Sequence, residues 1–190
     1  MAEGGTARCG INATRGGVMA IKLAELGVGE VVTLLKADLG TELGLIDTAR
    51  SGDSLVLAVP AAADYYDYPN PVLGDGAAHV EVFEGTISFD HKYSDVAVPR
   101  ATYDIDITVR LTFITRDGDT PTQKVARMRR YAVGVFNVFS KKPTLGDVDD
   151  AIQVAVSSLI ETQWITEGEN EADIAKGRVT VELTLTCEEN

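Results

Sequence analysis

The sequence predicts an α+β fold, a mainly antiparallel β-sheet flanked by two helices with an N-terminal arm, on three observations. Tyr103, Ile105, Ile107, Val109, Leu111 and Phe113 alternate with Asp104, Asp106, Thr108, Arg110 and Thr112, the pattern of a strand with one buried and one wet face. Val179, Val181, Leu183, Leu185 and Cys187 alternate in the same way with Thr180, Glu182, Thr184, Thr186 and Glu188. Between the two runs Thr120-Pro-Thr-Gln123 spells a capping box, with Thr120 as N-cap, Pro121 at the first helical position and Gln123 at the third.

A chain of 190 residues is long enough to bury a core without disulfides or metal, so one principal domain is expected over 29–190, preceded by an arm over 1–28. The arm carries glycine pairs at Gly4-Gly5 and Gly16-Gly17 and an apolar patch, Val18, Ile21 and Leu23. It has room for one short helix, and its patch needs a surface to cover on its own domain or on a neighbour.

From Glu30 to Arg50, Val31, Leu35, Leu39, Leu43 and Ile46 recur at helical spacing. Glu30 suits the start of that helix and Arg50 its end, Gly40 and Gly44 invite a bend or break, and Gly52 is placed to close it. Ser54 to Val59 reads as a short strand leading into Pro60-Ala-Ala-Ala-Asp-Tyr-Tyr-Asp-Tyr-Pro-Asn-Pro71. Prolines stiffen this loop, and Tyr65, Tyr66 and Tyr68 offer contact area at low entropic cost, so it is a candidate interface loop. The alternative is that these tyrosines pack over the edge of the core.

A strand follows over His79 to Phe83, and Gly85-Thr86 interrupts its register before Ile87 and Phe89, as a turn or bulge does. Asp90 to Arg100 reads as a loop or hairpin extension, and Arg116-Asp-Gly-Asp119 as a turn after the long strand. In the capped helix Val125, Met128, Ala132, Val135 or Phe136, and Phe139 follow at helical spacing. Lys141 and Lys142 favour the negative helix end, and Pro143 stops continuation. Ala151 to Ile165 admits a strand or a helix, since Ile152, Val154 and Val156 alternate while no helix breaker interrupts the stretch; strand is chosen because β-branched residues are frequent and a partner strand follows, with Glu167 to Lys176 as an exposed tip.

The charge of −12 repels free nucleic acid and anionic membranes, yet leaves room for a local basic stripe. Cys9 and Cys187 lie too far apart in sequence for a disulfide framework or a zinc pattern, and are expected as reduced thiols. No apolar run approaches the ~18 residues a membrane helix needs, and Met1 to Gly10 lacks the features of a secretory leader, so no membrane partner and a cytoplasmic site of synthesis are expected. Asn12-Ala13-Thr14, a nominal glycosylation acceptor, is then coincidental.

No catalytic constellation is evident. His79 and His91 lack a nucleophile and an orienting group in sequence motifs, and the glycine-rich pieces lack the lysine of a phosphate loop. Asp147, Asp149 and Asp150, like Glu167, Glu169 and Glu171, read as solvated turns and not as a calcium loop. A non-enzymatic protein with no cofactor and no metal is therefore expected. The one basic concentration is Lys124, Arg127, Arg129 and Arg130 at the start of the capped helix. It faces another subunit or DNA phosphates, or else it pairs within the chain.

Arg129-Arg-Tyr-Ala-Val-Gly-Val-Phe-Asn-Val-Phe139, followed by Pro143-Thr-Leu-Gly146 and by a late hairpin ending in Val-Thr-Val-Glu-Leu-Thr-Leu, resembles the tail terminator (tail completion) proteins of tailed bacteriophages over roughly residues 30–190. The resemblance implies an antiparallel sheet flanked by helices, assembled as a homohexameric ring at the head-proximal end of the tail tube. It implies a virion protein of the neck, assembled in the host cytoplasm, with the tail tube protein on one side and a head-side connector on the other. DNA would pass through the lumen without sequence-specific binding. The rivals are another connector (head completion or stopper), a tail tube subunit, or a small ligand-binding domain or enzyme with Tyr65, Tyr66 and Tyr68 as a lid. Nonspecific DNA binding as the main task is opposed by the acidic charge.

Overall fold

The computed structural model describes residues 9–53, 55–69, 78–92, 100–115, 118–142, 152–166 and 174–188. In chain order these form helix α1 (Cys9–Ala49), 3-10 turns at Ser51–Asp53 and Ala62–Asp64, and the short strand β1 (Tyr65–Tyr66). Strands β2 (Ala78–Lys92) and β3 (Arg100–Ile114), helix α2 (Pro121–Ser140), and strands β4 (Ile152–Thr166) and β5 (Ile174–Glu188) follow. The five strands make one sheet in the order β1-β2-β3-β5-β4. β1 runs parallel to β2 and every other pair is antiparallel, so the fold is α+β as the alternation and capping box indicate.

The alternating pattern decides which face is buried. Ile105, Ile107, Val109, Leu111 and Phe113 of β3 lie opposite Leu185, Leu183, Val181, Val179 and Gly177 of β5, and those side chains are almost wholly buried. Val31, Leu35, Leu39 and Leu43 of α1 and Met128, Tyr131, Val135 and Phe139 of α2 complete the same core. On the other face, hydroxyls meet carboxylates across the ladder. Thr186 donates to Asp104 at 2.7 Å, Thr184 to Asp106 at 3.0 Å and Thr108 to Glu182 at 3.0 Å. Cross-strand pairs of this kind hold register because a one-residue slip exchanges the two faces.

The register shift between Glu84 and Ile87 falls at Gly85-Thr86, as the sequence indicates, and Asp90–Lys92 then continue the hairpin against Arg100–Thr102. The β2–β3 connection over 93–99 lies outside the described residues. β4 pairs with β5 from Ile152 to Thr166, so the stretch read as a strand is one.

Several expectations need correction. The first helix does not begin near residue 30 after an arm with a short helix. α1 starts at Cys9 and runs for 41 residues, about 60 Å at a rise of ~1.5 Å per residue, straight through the expected domain boundary at residue 28. Gly40 and Gly44 do not break it. Each costs about 1 kcal/mol relative to alanine, less than complete burial of a neighbouring leucine contributes, and Leu35, Leu39 and Leu43 are all fully buried.

Gly52 does not cap the helix with a left-handed residue. It sits in the 3-10 turn Ser51–Asp53, and Gly118 is the positive-φ glycine among the described residues, at 89°, in the turn before α2. Leu55 to Val59 is extended but joins no ladder, and Ser54 lies outside the described residues.

α2 begins as its capping box dictates. The Gln123 amide donates to the Thr120 hydroxyl at 3.3 Å, and the Thr120 amide donates back to Gln123 Oε1 at 2.8 Å. Its end is tied to α1 by Lys141–Glu42 at 2.5 Å and Lys142–Asp38 at 2.8 Å. The helices approach closely at Gly134, where a Cβ would come within 2.6 Å of Leu43 Cδ2. Val125 is not on the core side as the spacing suggested, and of the alternatives Val135 and Phe136 it is Val135 that faces the core. Val125 and Phe136 are exposed, and Met128, Tyr131, Ala132, Val135, Val138 and Phe139 form the buried side.

The Phe113 ring stacks on Tyr131 at 4.6 Å between centroids, meets Trp164 edge-on at 6.4 Å and lies over the α-carbon of Gly177. A Cβ on Gly177 would overlap that ring, so Gly177→Ala is expected to cost about 1–3 kcal/mol, the usual penalty of overpacking. Adding Phe113→Leu should recover part of the loss in urea denaturation. Simple additivity of the two losses would contradict this packing.

Candidate functional site

Residues 55–58 pass between the helices as an extended chain without a strand partner, so their backbone groups must be satisfied in another way. α2 does most of this with residues at i, i+3 and i+4, which share one helix face. Arg127 Nη1 donates to the Val56 carbonyl at 2.6 Å and Arg130 Nη1 to the Leu55 carbonyl at 3.2 Å. The Tyr131 hydroxyl donates to the Ala58 carbonyl and accepts from the Ala58 amide, both at 2.9 Å. From α1, Asp47 Oδ2 accepts the Leu57 amide at 2.8 Å.

The two guanidinium groups are also neutralised. Arg127, 3% exposed, pairs with Asp119 at 3.2 Å, and Arg130, 9% exposed, pairs with the half-exposed Asp53. The Arg130 hydrogen bond, with a smaller contribution from the Leu55 amide, holds the Asp53 carboxyl below the ordinary aspartate range. The expectation that Lys124, Arg127, Arg129 and Arg130 form one subunit- or DNA-facing group is therefore corrected. Arg127 and Arg130 point inward and pair within the chain. Lys124 is half-buried and has partners of its own. Arg129 remains exposed on the opposite side of the helix and makes no ion pair among the described residues.

The tyrosines divide as well. Tyr65 is a core residue of β1, its hydroxyl directed at the Leu35 carbonyl at 3.5 Å and its pKa pushed up to about 12 by burial. Only Tyr66 and Tyr68 reach the surface, edge to face at 5.7 Å. Tyr66 also packs edge-on against His79 at 6.3 Å.

His79 is 5% exposed, and its Nε2 has no hydrogen-bond partner. Burial lowers its pKa against the opposing influence of Glu81, so the imidazole stays neutral near pH 7. His91 lies in β2, Cys9 in α1 and Cys187 in β5, with side chains outside the described residues. Both acidic clusters, Asp147, Asp149, Asp150 and Glu167, Glu169, Glu171, also lie outside them. Among the described residues no three His, Cys, Asp or Glu side chains converge to hold a metal ion, and no helix is long and apolar enough to cross a membrane.

The outward face of α2 carries the feature that sequence reasoning missed. Val125, Arg129, Val133 and Phe136 fall at helical spacing on one exposed stripe, with Val133 48% and Phe136 43% exposed. Beside it an open groove of about 450 Å³ runs between the helices, floored by Ile46, Ala49, Ala126 and Val133 and bordered by Arg50 and Arg129. A second groove of about 360 Å³, reaching Pro121 and Val125, shares Ala126 and Arg129 with it, so the two form one trough. A signal was present in the sequence, because α2 has apolar residues at 132 and 133 and again at 135 and 136, more than one buried face can take.

The organised elements among the described side chains are the clamp on residues 55–58 and an apolar, cation-bordered surface. No protein-family model matches the sequence, and no curated protein matches it closely enough to count as a relative.

Two outcomes test this account. Arg127→Met should lose about 3–5 kcal/mol, because it removes the guanidinium that neutralises the part-buried Asp119 and satisfies the Val56 carbonyl, and Tyr131→Phe about 1–3 kcal/mol. Arg129→Met should stay within about 0.5 kcal/mol of the parent. Urea denaturation ranks the three, and equal losses at 127 and 129 would contradict the clamp.

For His79, the folded-state pKa lies below the unfolded value of ~6.5, so the unfolded chain binds the extra proton between those two values. Its influence is absent above pH ~6.5, and stability falls as pH drops through that value toward the folded pKa. Thermal melts from pH 8 to pH 5 should show His79→Phe losing less stability on acidification than the parent.

Proposed function

We propose that this chain is a structural subunit that closes into a ring with copies of itself, in the manner of a phage tail terminator at the neck. The observation that carries the reading is a sheet open at both ends. At one end β4 has β5 as its one strand neighbour among the described residues. At the other, β1 covers only Val80 and Glu81, leaving β2 from Phe83 to Lys92 paired to β3 alone. A long unpaired strand edge is a template for another chain. Two different edges on one subunit favour a head-to-tail contact, and such contacts end in a closed ring when the rotation permits.

In this reading the ring ends tail polymerisation, with the tail tube protein on one side and the head-side connector on the other. It is a virion protein assembled in the host cytoplasm, and packaged DNA passes through the lumen without sequence-specific contact. The inward pairing of Arg127 and Arg130 supports a role without DNA binding as its main task, since it removes half of the basic cluster from any phosphate. A Tyr-lidded enzyme is disfavoured because Tyr65 is part of the core and both grooves of the trough lie along α2 instead.

Light scattering at two concentrations, with negative-stain images of the same sample, tests the proposal. Discrete rings of about six subunits are the expected result. Long tubes would make the chain a tube subunit, and a monomer at every concentration would overturn the ring.

A further inference from the structure

The trough along α2 is not consumed by the open-edge argument, and its chemistry is specific. Its floor is apolar, Arg130 and Asp53 in its wall pair with each other, and the two further cations on its border, Arg50 beside Asp53 and Arg129, make no ion pair among the described residues. Arg127, Arg130, Lys141 and Lys142 are each matched with a carboxylate inside the chain, whereas Arg50 and Arg129 on the trough border form no such pair among the described residues. Exposed Val133 and Phe136 continue the apolar surface past the groove.

We infer that this trough is a contact face for a second copy of the chain, taking an apolar side chain onto the Ile46, Ala49 and Val133 floor and a carboxylate between Arg50 and Arg129. Charge complementarity selects the occupant. The chain has 29 Asp and Glu against 17 Lys and Arg, so a copy meets the two arginines with a surface dominated by carboxylates. Glu84 and Glu161, exposed on the two open sheet strands, are among the groups it can offer. Nucleic acid fits less well, because an apolar floor gives a phosphate backbone nothing to bind and two cations release few counterions.

The inference rests on the ring reading only in requiring that copies associate. Parent protein, Val133→Glu, Phe136→Glu, Arg129→Glu and Arg129→Lys are compared by analytical ultracentrifugation at low and high salt, with circular dichroism confirming that each is folded. Because all three positions are exposed, the variants should fold. Val133→Glu and Phe136→Glu should weaken association by about tenfold or more, the scale of a central contact. Arg129→Glu should weaken it and flatten its salt dependence, while Arg129→Lys should retain most of both. Parent and variants that associate alike would overturn the trough and leave the ring reading intact. A parent that stays monomeric would overturn both. Binding of a short DNA duplex that is lost in Arg129→Glu, with association unchanged, would assign the trough to nucleic acid instead.

Discussion

A segment that runs beside a core without joining its sheet needs partners for its buried N–H and C=O groups, and between Leu55 and Ala58 those partners are side chains: Asp53 of the preceding 3-10 turn takes the Leu55 amide, and side chains of the two helices take the other bonds. Arg127, Arg130 and Tyr131 reach it from α2, and Asp47 from α1. The rest of the structure depends on this clamp. It fixes the exit of α1 against α2, while Lys141–Glu42 and Lys142–Asp38 fix the other end of the same helix pair. With both ends tied, the helices cross closely at Gly134, and Tyr131, held by its hydroxyl, presents its ring to Phe113 at the centre of the core.

The clamp also decides what α2 shows to the outside. Two of its arginines are drawn inward by Asp119 and Asp53, so their charge is neutralised where it might otherwise have formed a basic stripe. The side turned away from the core is left with Val125, Val133, Phe136 and Arg129, which makes no ion pair among the described residues. A helix with a core on one side and apolar residues on the other has a surface that a second contact can cover, which is the basis of the proposed assembly. In the sheet, threonine–carboxylate pairs occupy the polar face, while both end strands keep open edges among the described residues, the feature on which the proposed ring rests.

Much of the fold was legible because local signals and tertiary burial agree in it. The alternation around Val109 and Val181, the Thr120–Gln123 box and the interruption at Gly85 each map onto one local geometry, and the structure has each of them. The failures fall where long-range contacts outweigh local preference. Glycines at 40 and 44 signal a break, but Leu39 and Leu43 beside them are fully buried and keep α1 continuous. Leu55 to Val59 has strand-like residues, yet side chains distant in sequence take the hydrogen bonds a ladder would have made. The basic cluster was visible as a cluster, but its direction was not, since Asp53 lies 77 positions from Arg130 and nothing local announces the pairing. The exposed stripe was hidden by its own composition, because a valine facing water and a valine facing a core are the same letter.

Native-state hydrogen exchange of the Leu57 and Ala58 amides tests the clamp most directly. Both donate to side chains, Asp47 and the Tyr131 hydroxyl, and neither belongs to a helix or strand. The account predicts protection comparable to the central amides of β3, since opening this segment requires α2 to leave the core. Exchange at the rate of an exposed loop would mean that α2 does not hold the segment, and would contradict the account at its base.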